Sequence, residues 1–520
     1  MLFHLLEMMR IELTINIASQ VLFYLGTIHL PTLQTSNRKS PSMFVRQLMP
    51  VYVTGIFEIF SEPACMDGTP GDRYNNSLLR PRRLAMTFTI CVLLVMLLIF
   101  SACATFAAIH PLEKPAMVVV VDAGEYTVRG QNVNVNATTH LRIDSPDRVQ
   151  VKSEEQILSE SKPNAYIGGT SLRKTLGPID KSTRMLWAID PASVRVHSTE
   201  DGGTVYEEGK DYFLDHDWGG MSRIGTGSIA KGQKVYIDYD VRDERVDVIQ
   251  VSSEGNVSVK KGRSAPVCAA IPDPDPGCTA LAAVYVPYQA ASITGYNIRT
   301  SPVKNITWHD FVKVSGKEYL SHTLGLLKEN KPVTVVCWGD SVTEGSSPSS
   351  HDKCYVELFR ARLKAAYPKS NITLINAGIG GSNTDSRRNG YEKEVLSYNP
   401  DLITVEFVND TGKSPEKIAA NWHEFIARAR EKNPNVEFIL ITPHFTTPAW
   451  MRGYKESVDA MRKAAVDNKV ALADASNIWA NLGSVGFPYE ILLANVLNHP
   501  NDLGHEFFTA SLMQLMQPGK

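Results

Sequence analysis

Between residues 333 and 473 the chain repeats one pattern of apolar and polar positions. Short apolar runs at 333–338, 373–376, 402–408, 436–441 and 470–473 alternate with longer stretches, among them 355–366, 415–432 and 454–467. In those stretches apolar residues recur three and four apart, the spacing of one helix face. Apolar runs without polar alternation are strands buried on both faces, which predicts a five-stranded parallel sheet covered by helices. Functional residues of such a sheet belong at the carboxyl ends of its strands.

Upstream, over 115–305, the texture differs. Val118–Val121, 235–239 and 246–251 read as β-branched or alternating strands, separated by Gly-Gly, Asp-Gly and Lys-Gly turns, and helical periodicity is nearly absent. A β-rich module of sandwich type is expected there. Its aromatics Tyr212, Phe213 and Trp218 are either core residues or exposed platforms for sugar rings.

Residues 84–109 carry no charge and are almost continuously apolar from 90 to 100. Arg80, Arg82 and Arg83 precede this run, and Ser101, Ala102, Cys103 and Ala104 follow it. A basic start, an apolar centre and a small-residue exit make a secretory signal; the run is also long enough to be a membrane anchor. Ser-Ala-Cys103 loosely resembles a lipoprotein cleavage site. Either reading predicts export to the cell envelope or beyond. Residues 1–83 show no clear periodicity and receive no function. They are either untranslated, with the start at Met66 or Met86, or a cytoplasmic tail.

The 520 residues are enough for two or three domains. With 53 Lys and Arg against 55 Asp and Glu, nothing marks a nucleic-acid binder. Seven cysteines give no complete pairing. Cys268 and Cys278 bracket a Pro-rich loop that a disulfide would suit in an oxidising compartment; Cys337 and Cys354 read as buried thiols. No His-Glu-x-x-His, Cys-x-x-Cys or EF-hand spacing appears, so neither a metal nor another cofactor is expected. The 378–383 glycine cluster lacks the third glycine of a dinucleotide loop. His351 and His423 read as surface residues, whereas His444, just past the strand at 438–441, is a possible pocket residue.

Four segments carry the candidate chemistry. The strand at 333–338 stops at Gly339-Asp340-Ser341, presenting a serine at the sheet rim. The strand at 372–375 runs into Gly378-Ile379-Gly380-Gly381, where backbone N–H groups can approach a ligand oxygen. The strand at 402–408 ends on Asn409-Asp410, and Asn498-His499-Pro500-Asn501 lies near the end of the sequence. Together they offer a nucleophile, oxyanion donors and a base.

In order, spacing and strand-end placement these four blocks resemble the GDSL hydrolases, the SGNH superfamily, over roughly residues 330 to 515. The resemblance implies an SGNH (flavodoxin-like) domain over 325–520. It makes Ser341 the nucleophile and His499 the base, with an oxyanion hole of the Ser341 and Gly381 N–H groups and the Asn409 amide. Gly380 is the near alternative to Gly381, and His505 packs on the last helix. One position departs from the family: Val496 stands where an aspartate usually orients the histidine. Backbone carbonyls or an asparagine could orient His499 in a Ser-His dyad, Asp474 could swing in, or the site could be weakened.

The β-rich module ahead of the hydrolase resembles two-domain carbohydrate esterases. That implies an exported serine esterase that deacetylates a carbohydrate, with an acylated carbohydrate or another ester as its partner and attachment through 84–109. The alternatives are a lipase- or thioesterase-like hydrolase of longer acyl esters, and a non-catalytic glycan-binding surface protein.

Overall fold

A computed structural model describes residues 108–179, 181 and 183–518; the segment 1–83 and most of 84–109 lie outside the described residues. Antiparallel sheets fill the first half. Strands β1 (Ile109–Pro111), β2 (Val118–Val121), β3 (Gly124–Val128), β4 (Gln131–Val135) and β5 (Thr139–Arg142) form a three-stranded sheet and a hairpin. They share one core with β13 (Arg245–Ser252), β14 (Val257–Lys260), β15 (Cys278–Val286) and β16 (Ile298–Thr300), in which Val119, Val121 and Val135 meet Ile249, Leu281 and Val284.

A second core interrupts the first. Strands β6 (Arg148–Ile157), β7 (Thr170–Ser171), β8 (Ile189–Thr199), β9 (Gly202–Tyr206), β10 (Tyr212–Leu214), β11 (Gly220–Arg223) and β12 (Lys234–Arg242) make two facing sheets. These close on Leu172, Val196, Met221, Ile237 and Tyr239. The expected β-rich module therefore consists of two sheet-on-sheet bodies, the second inserted between the halves of the first. Strand alternation is the same in both, so the pattern alone could not separate them.

The C-terminal domain holds one six-stranded sheet in the order β17-β22-β21-β20-β18-β19. Its five parallel strands are β18 (Val333–Gly339), β19 (Ile372–Gly378), β20 (Leu402–Glu406), β21 (Glu437–Ile441) and β22 (Ala471–Ala473). Each coincides with an expected apolar run. The sixth, β17 (Val314–Ser315), is an antiparallel edge of two residues, too short to leave a sequence pattern. Helices α1 (Ser321–Lys328), α2 (Ser341–Glu344), α3 (Tyr355–Ala366), α4 (Tyr391–Glu394), α5 (Pro415–Lys432), α6 (Tyr454–Asp467), α7 (Ala475–Asn481) and α8 (Asp502–Met516) complete the domain. Along β18 the side chains alternate between two cores. Val333, Val335 and Cys337 meet Phe359, Leu363 and Phe508, while Val336 and Trp338 meet Trp422, Phe425 and Met461. Both faces being covered explains why the strand is apolar apart from the partly exposed Thr334 near its start.

The first β body docks on the short helical turn Tyr489–Leu492, seven residues before His499. Arg299 pairs with Glu490 at 3.0 Å, and Val246, Ala283 and Tyr285 pack on Ile491. Beside this contact Glu244 is buried; its carboxyl accepts hydrogen bonds from Ala269 N (3.0 Å) and Tyr285 Oη (2.8 Å). Burial pushes the carboxyl up to about 7 from an ordinary 4.5. The folded state thus holds a proton that the unfolded state releases near pH 4.5. Stability from this group is complete below pH 4.5 and is lost as pH rises to about 7, at a cost of about 3 kcal/mol. Glu244→Gln is expected to remove that loss. In thermal melts from pH 5 to 8, wild type should fall relative to the variant; parallel curves would rule the account out.

Cys268 and Cys278 are both free thiols, contrary to the disulfide their spacing suggested. Cys268 packs with Val267, Tyr288 and Val496, away from a strand-borne Cys278. Cys337 and Cys354 are buried, as expected. Among the described residues no helix is long and apolar enough to cross a membrane.

Candidate active site

The end of β18 is built from close approaches that exclude side chains. A Cβ on Gly339 would lie 1.9 Å from Thr343 Oγ1 and 2.3 Å from Glu406 O, and one on Gly378 only 2.1 Å from Glu344 N. Strands β18 and β19 can therefore pass directly under α2, whose first residue is Ser341. Asp340 caps that helix, accepting from Val342 N at 3.1 Å, and its other oxygen accepts from Asn409 N at 2.9 Å. One carboxylate thereby ties the ends of β18 and β20 together. Asp340 and Glu406 are both fully buried. Burial raises both carboxyls, and their proximity to each other raises Glu406 further.

After β19 the loop turns at Gly380 and Gly381. A Cβ on Gly380 would sit 3.9 Å from Ser341 Cβ, and Gly381 has φ +70° with open space around it. The Asn409 amide donates to Ser382 O at 3.0 Å, so the end of β20 holds this loop in place. The neighbouring Asp410 accepts from Thr384 N and Oγ1.

His499 comes from the opposite direction. Asn495 Oδ1 accepts backbone N–H groups of Leu497, Asn498 and His499 at 2.9 to 3.0 Å, folding the loop around one side chain. The imidazole Nε2 stands 2.8 Å from Ser341 Oγ, and Nδ1 stands 3.2 Å from Ser347 Oγ. Ser347 holds a left-handed backbone, φ +71°, at the exit of the nucleophile turn. A neutral imidazole donating from Nδ1 to Ser347 leaves Nε2 to accept the Ser341 proton. Ser341, Gly381, Asn409 and His499, separated by up to 158 residues, are thus gathered at the carboxyl ends of the parallel strands. An oxygen nucleophile beside a base and amide donors is the equipment for acyl transfer.

Several sequence expectations need correction. His444 does not line a pocket: it is fully buried against Trp479 and Phe508, and its Nε2 stands 2.6 Å from Asn498 O, supporting the His499 loop from below. Burial lowers its imidazole to about 3, so it stays neutral. Asp474 does not swing in; it pairs with Arg462 at 3.0 Å and Thr442 at 2.9 Å. Tyr212 and Trp218 are buried, and Phe213 lies under the Lys162 ammonium at 4.0 Å. Val496, at the aspartate position, has φ +56° and packs with Met185, Val267 and Tyr288 of the β region. His505 bridges Tyr355 N and Ser346 O inside the fold, as expected of a packing residue.

Ser347 escaped the sequence reading because an isolated polar loop residue has no periodicity to betray it. The asparagine weighed there as an orienting group has its counterpart in Asn495, which holds the backbone of the His499 loop and not the imidazole. A cavity of about 240 Å³ adjoins the site, lined by Val408, Asn409, Thr411, Thr446, Trp450 and Asn498. Among the described residues no group of three or more His, Cys, Asp or Glu could hold a metal ion.

Residues 337–507 match the family of GDSL-like lipases and acylhydrolases. The chain is 32% identical over 117 residues to the uncharacterized lipoprotein YqeF of Bacillus subtilis (strain 168), covering 21% of this chain and 47% of that protein. It thus spans about half the length of that relative. Among solved structures it is similar to a two-domain esterase active on acetylated mannans, with 22% identity over 38% of this chain and 52% of that one and a TM-score of 0.34. It is also similar to a variant of the acetyl xylan esterase from Geobacillus stearothermophilus, with 19% identity over 36% and 97% of the two chains and a TM-score of 0.31.

Proposed function

The C-terminal domain is a GDSL-like lipase/acylhydrolase domain, an SGNH carboxylic ester hydrolase, and from that premise we propose that the chain is an exported serine esterase that deacetylates a carbohydrate. The observation that carries the reading is the 2.8 Å contact between His499 Nε2 and Ser341 Oγ, with Asn409 tied through its backbone N–H to Asp340, the residue before the serine. Ser341 Oγ attacks the ester carbonyl carbon while its proton passes to Nε2. The N–H groups of Ser341 and Gly381 and the Asn409 amide hold the oxyanion. The tetrahedral species collapses, the alcohol leaves with the proton from His499, and an acetyl-Ser341 remains. Water, deprotonated by the same imidazole, then releases acetate.

The small, polar-walled cavity beside Asn409 suits a short acyl group. The β-rich region ahead of the hydrolase supports a polymeric carbohydrate as the alcohol, in the arrangement of two-domain carbohydrate esterases. The apolar segment 84–109 and the lipoprotein relative support a cell-envelope location. Two measurements test the reading: mass mapping after diisopropyl fluorophosphate, and acetate release from acetylated xylan and mannan beside p-nitrophenyl octanoate hydrolysis. A single adduct on Ser341 with preference for acetyl esters is expected. Labelling elsewhere would remove the assigned nucleophile, and rates that climb with acyl length would favour a lipase.

A further inference from the structure

We propose that Tyr166, presented by the inserted β body, forms with Trp450, and with the buried Trp218 behind them, the wall that binds a pyranose ring of the substrate's alcohol side; this rests on the esterase reading above. Trp450 lines the cavity beside Asn409. Against it stand two rings from the β body: Tyr166 at 5.6 Å between centroids, edge-on, and Trp218 at 6.4 Å. Tyr166 and Trp218 are 6.0 Å apart, closing a triangle. Leu497, two residues before His499, packs into the same cluster. The wall therefore adjoins both the oxyanion side and the base side of the site.

The loop carrying Tyr166 is built to be rigid. Asn164 and Ile167 exchange backbone hydrogen bonds at 2.9 and 3.1 Å, which places Tyr166 at the tip of a tight turn. Arg184, 2% exposed, fastens that turn from inside. Its guanidinium donates to Ala165 O at 2.7 Å, to Ile167 O, to Gly168 O and to Ser171 Oγ. Taking a guanidinium out of water is unfavourable unless its donors are used; here three bonds go to carbonyls of one short loop and a fourth to Ser171 on the β7 that follows it. Gly220 packs so closely that a Cβ there would come 2.6 Å from Arg184 Nη1. What this apparatus holds out is a tyrosine that is 38% exposed. A preorganised exposed aromatic beside a reactive centre is a binding element, because no ordering cost remains to be met when a ligand arrives.

Chemistry selects a sugar over an acyl chain. Aromatic faces are electron-rich and attract the polarised C–H groups of a pyranose, whose hydroxyls need polar neighbours at the rim. The partly exposed Thr411, beside Trp450 where the acyl cavity ends, and the Tyr166 hydroxyl are the polar groups on that side. An acyl chain would require an enclosed apolar channel, and this wall is open on the Tyr166 side.

Kinetics of the full chain with Tyr166→Ala and Tyr166→Trp test the proposal, using partially acetylated xylo- and manno-oligosaccharides, p-nitrophenyl acetate and p-nitrophenyl octanoate. In Tyr166→Ala the ratio of kcat/KM for the oligosaccharide to that for p-nitrophenyl acetate should fall at least tenfold, mainly through KM. Tyr166→Trp should restore it. An unchanged ratio in Tyr166→Ala would overturn the subsite while leaving the esterase reading intact. A loss confined to the octanoate would reassign the wall to the acyl side. Should wild type cleave none of these esters, the esterase reading falls. Binding of unacetylated oligosaccharide, followed by tryptophan fluorescence, then decides the subsite: affinity tenfold weaker in Tyr166→Ala sustains it, and equal affinity or none removes it.

Discussion

Ser341→Ala and His499→Ala are each expected to lower kcat/KM for p-nitrophenyl acetate by roughly 10⁴- to 10⁶-fold. Ser341 is 5% exposed and its Oγ is 2.8 Å from His499 Nε2, so the two atoms act as one unit. Without the imidazole, the hydroxyl proton has no acceptor at neutral pH. Without the hydroxyl, the imidazole has only water to activate. Groups that act as a unit give non-additive losses. The double variant should therefore fall no further than either single one. Steady-state rates of the three proteins check this, with circular dichroism to show that each remains folded. A loss below tenfold in either single variant, or additive losses in the double, would mean that another pair performs the chemistry.

Asn409→Ala is expected to lower kcat by about 10²- to 10³-fold with KM nearly unchanged, the range for removing one oxyanion donor. The side chain has a second duty, since it donates to Ser382 O and so holds the loop that carries Gly380 and Gly381. Its loss should therefore remove one donor and loosen another. Asn409→Asp should be at least as harmful, because a carboxylate would face the developing oxyanion. A variant whose KM rises while kcat stays put would show that Asn409 binds substrate in the ground state instead. The backbone N–H of Asn409, which donates to Asp340, survives both substitutions and should keep β20 registered to the nucleophile turn.

The strands of the C-terminal sheet were legible because each is a mainly apolar run without polar alternation, broken only by single residues such as Thr404. The same holds for α3, α5 and α6, whose observed bounds coincide with the periodic stretches. The β17 edge, two residues long, was not legible. Nor was the nesting of the β bodies: an inserted body and its host show the same two-residue alternation, so only the cores they close on tell them apart. At the site, the strand-end positions offered Ser341, Asn409 and the glycine turn as candidates, and the resemblance to the GDSL hydrolases singled out Ser341, Gly381, Asn409 and His499. His444 was misread because a histidine just past a strand end looks the same whether it faces solvent or supports a loop from beneath.

Ser347, Asn495, Arg184 and Tyr166 form the other class. Their significance lies in partners that no period links, whether 152 residues apart, as Ser347 and His499 are, or within one folded loop, as for Asn495 and Arg184, or in the docking of one body on another. The positions that make strands, helices and the strand-end chemistry follow from the chain's sequence, because backbone geometry imposes periods of two and 3.6 within any short segment. The environment of His499 and the aromatic wall beside it follow from tertiary structure alone. They arise where independently formed surfaces meet, and such contacts are set by shape and hydrogen-bond complementarity, which no local period records.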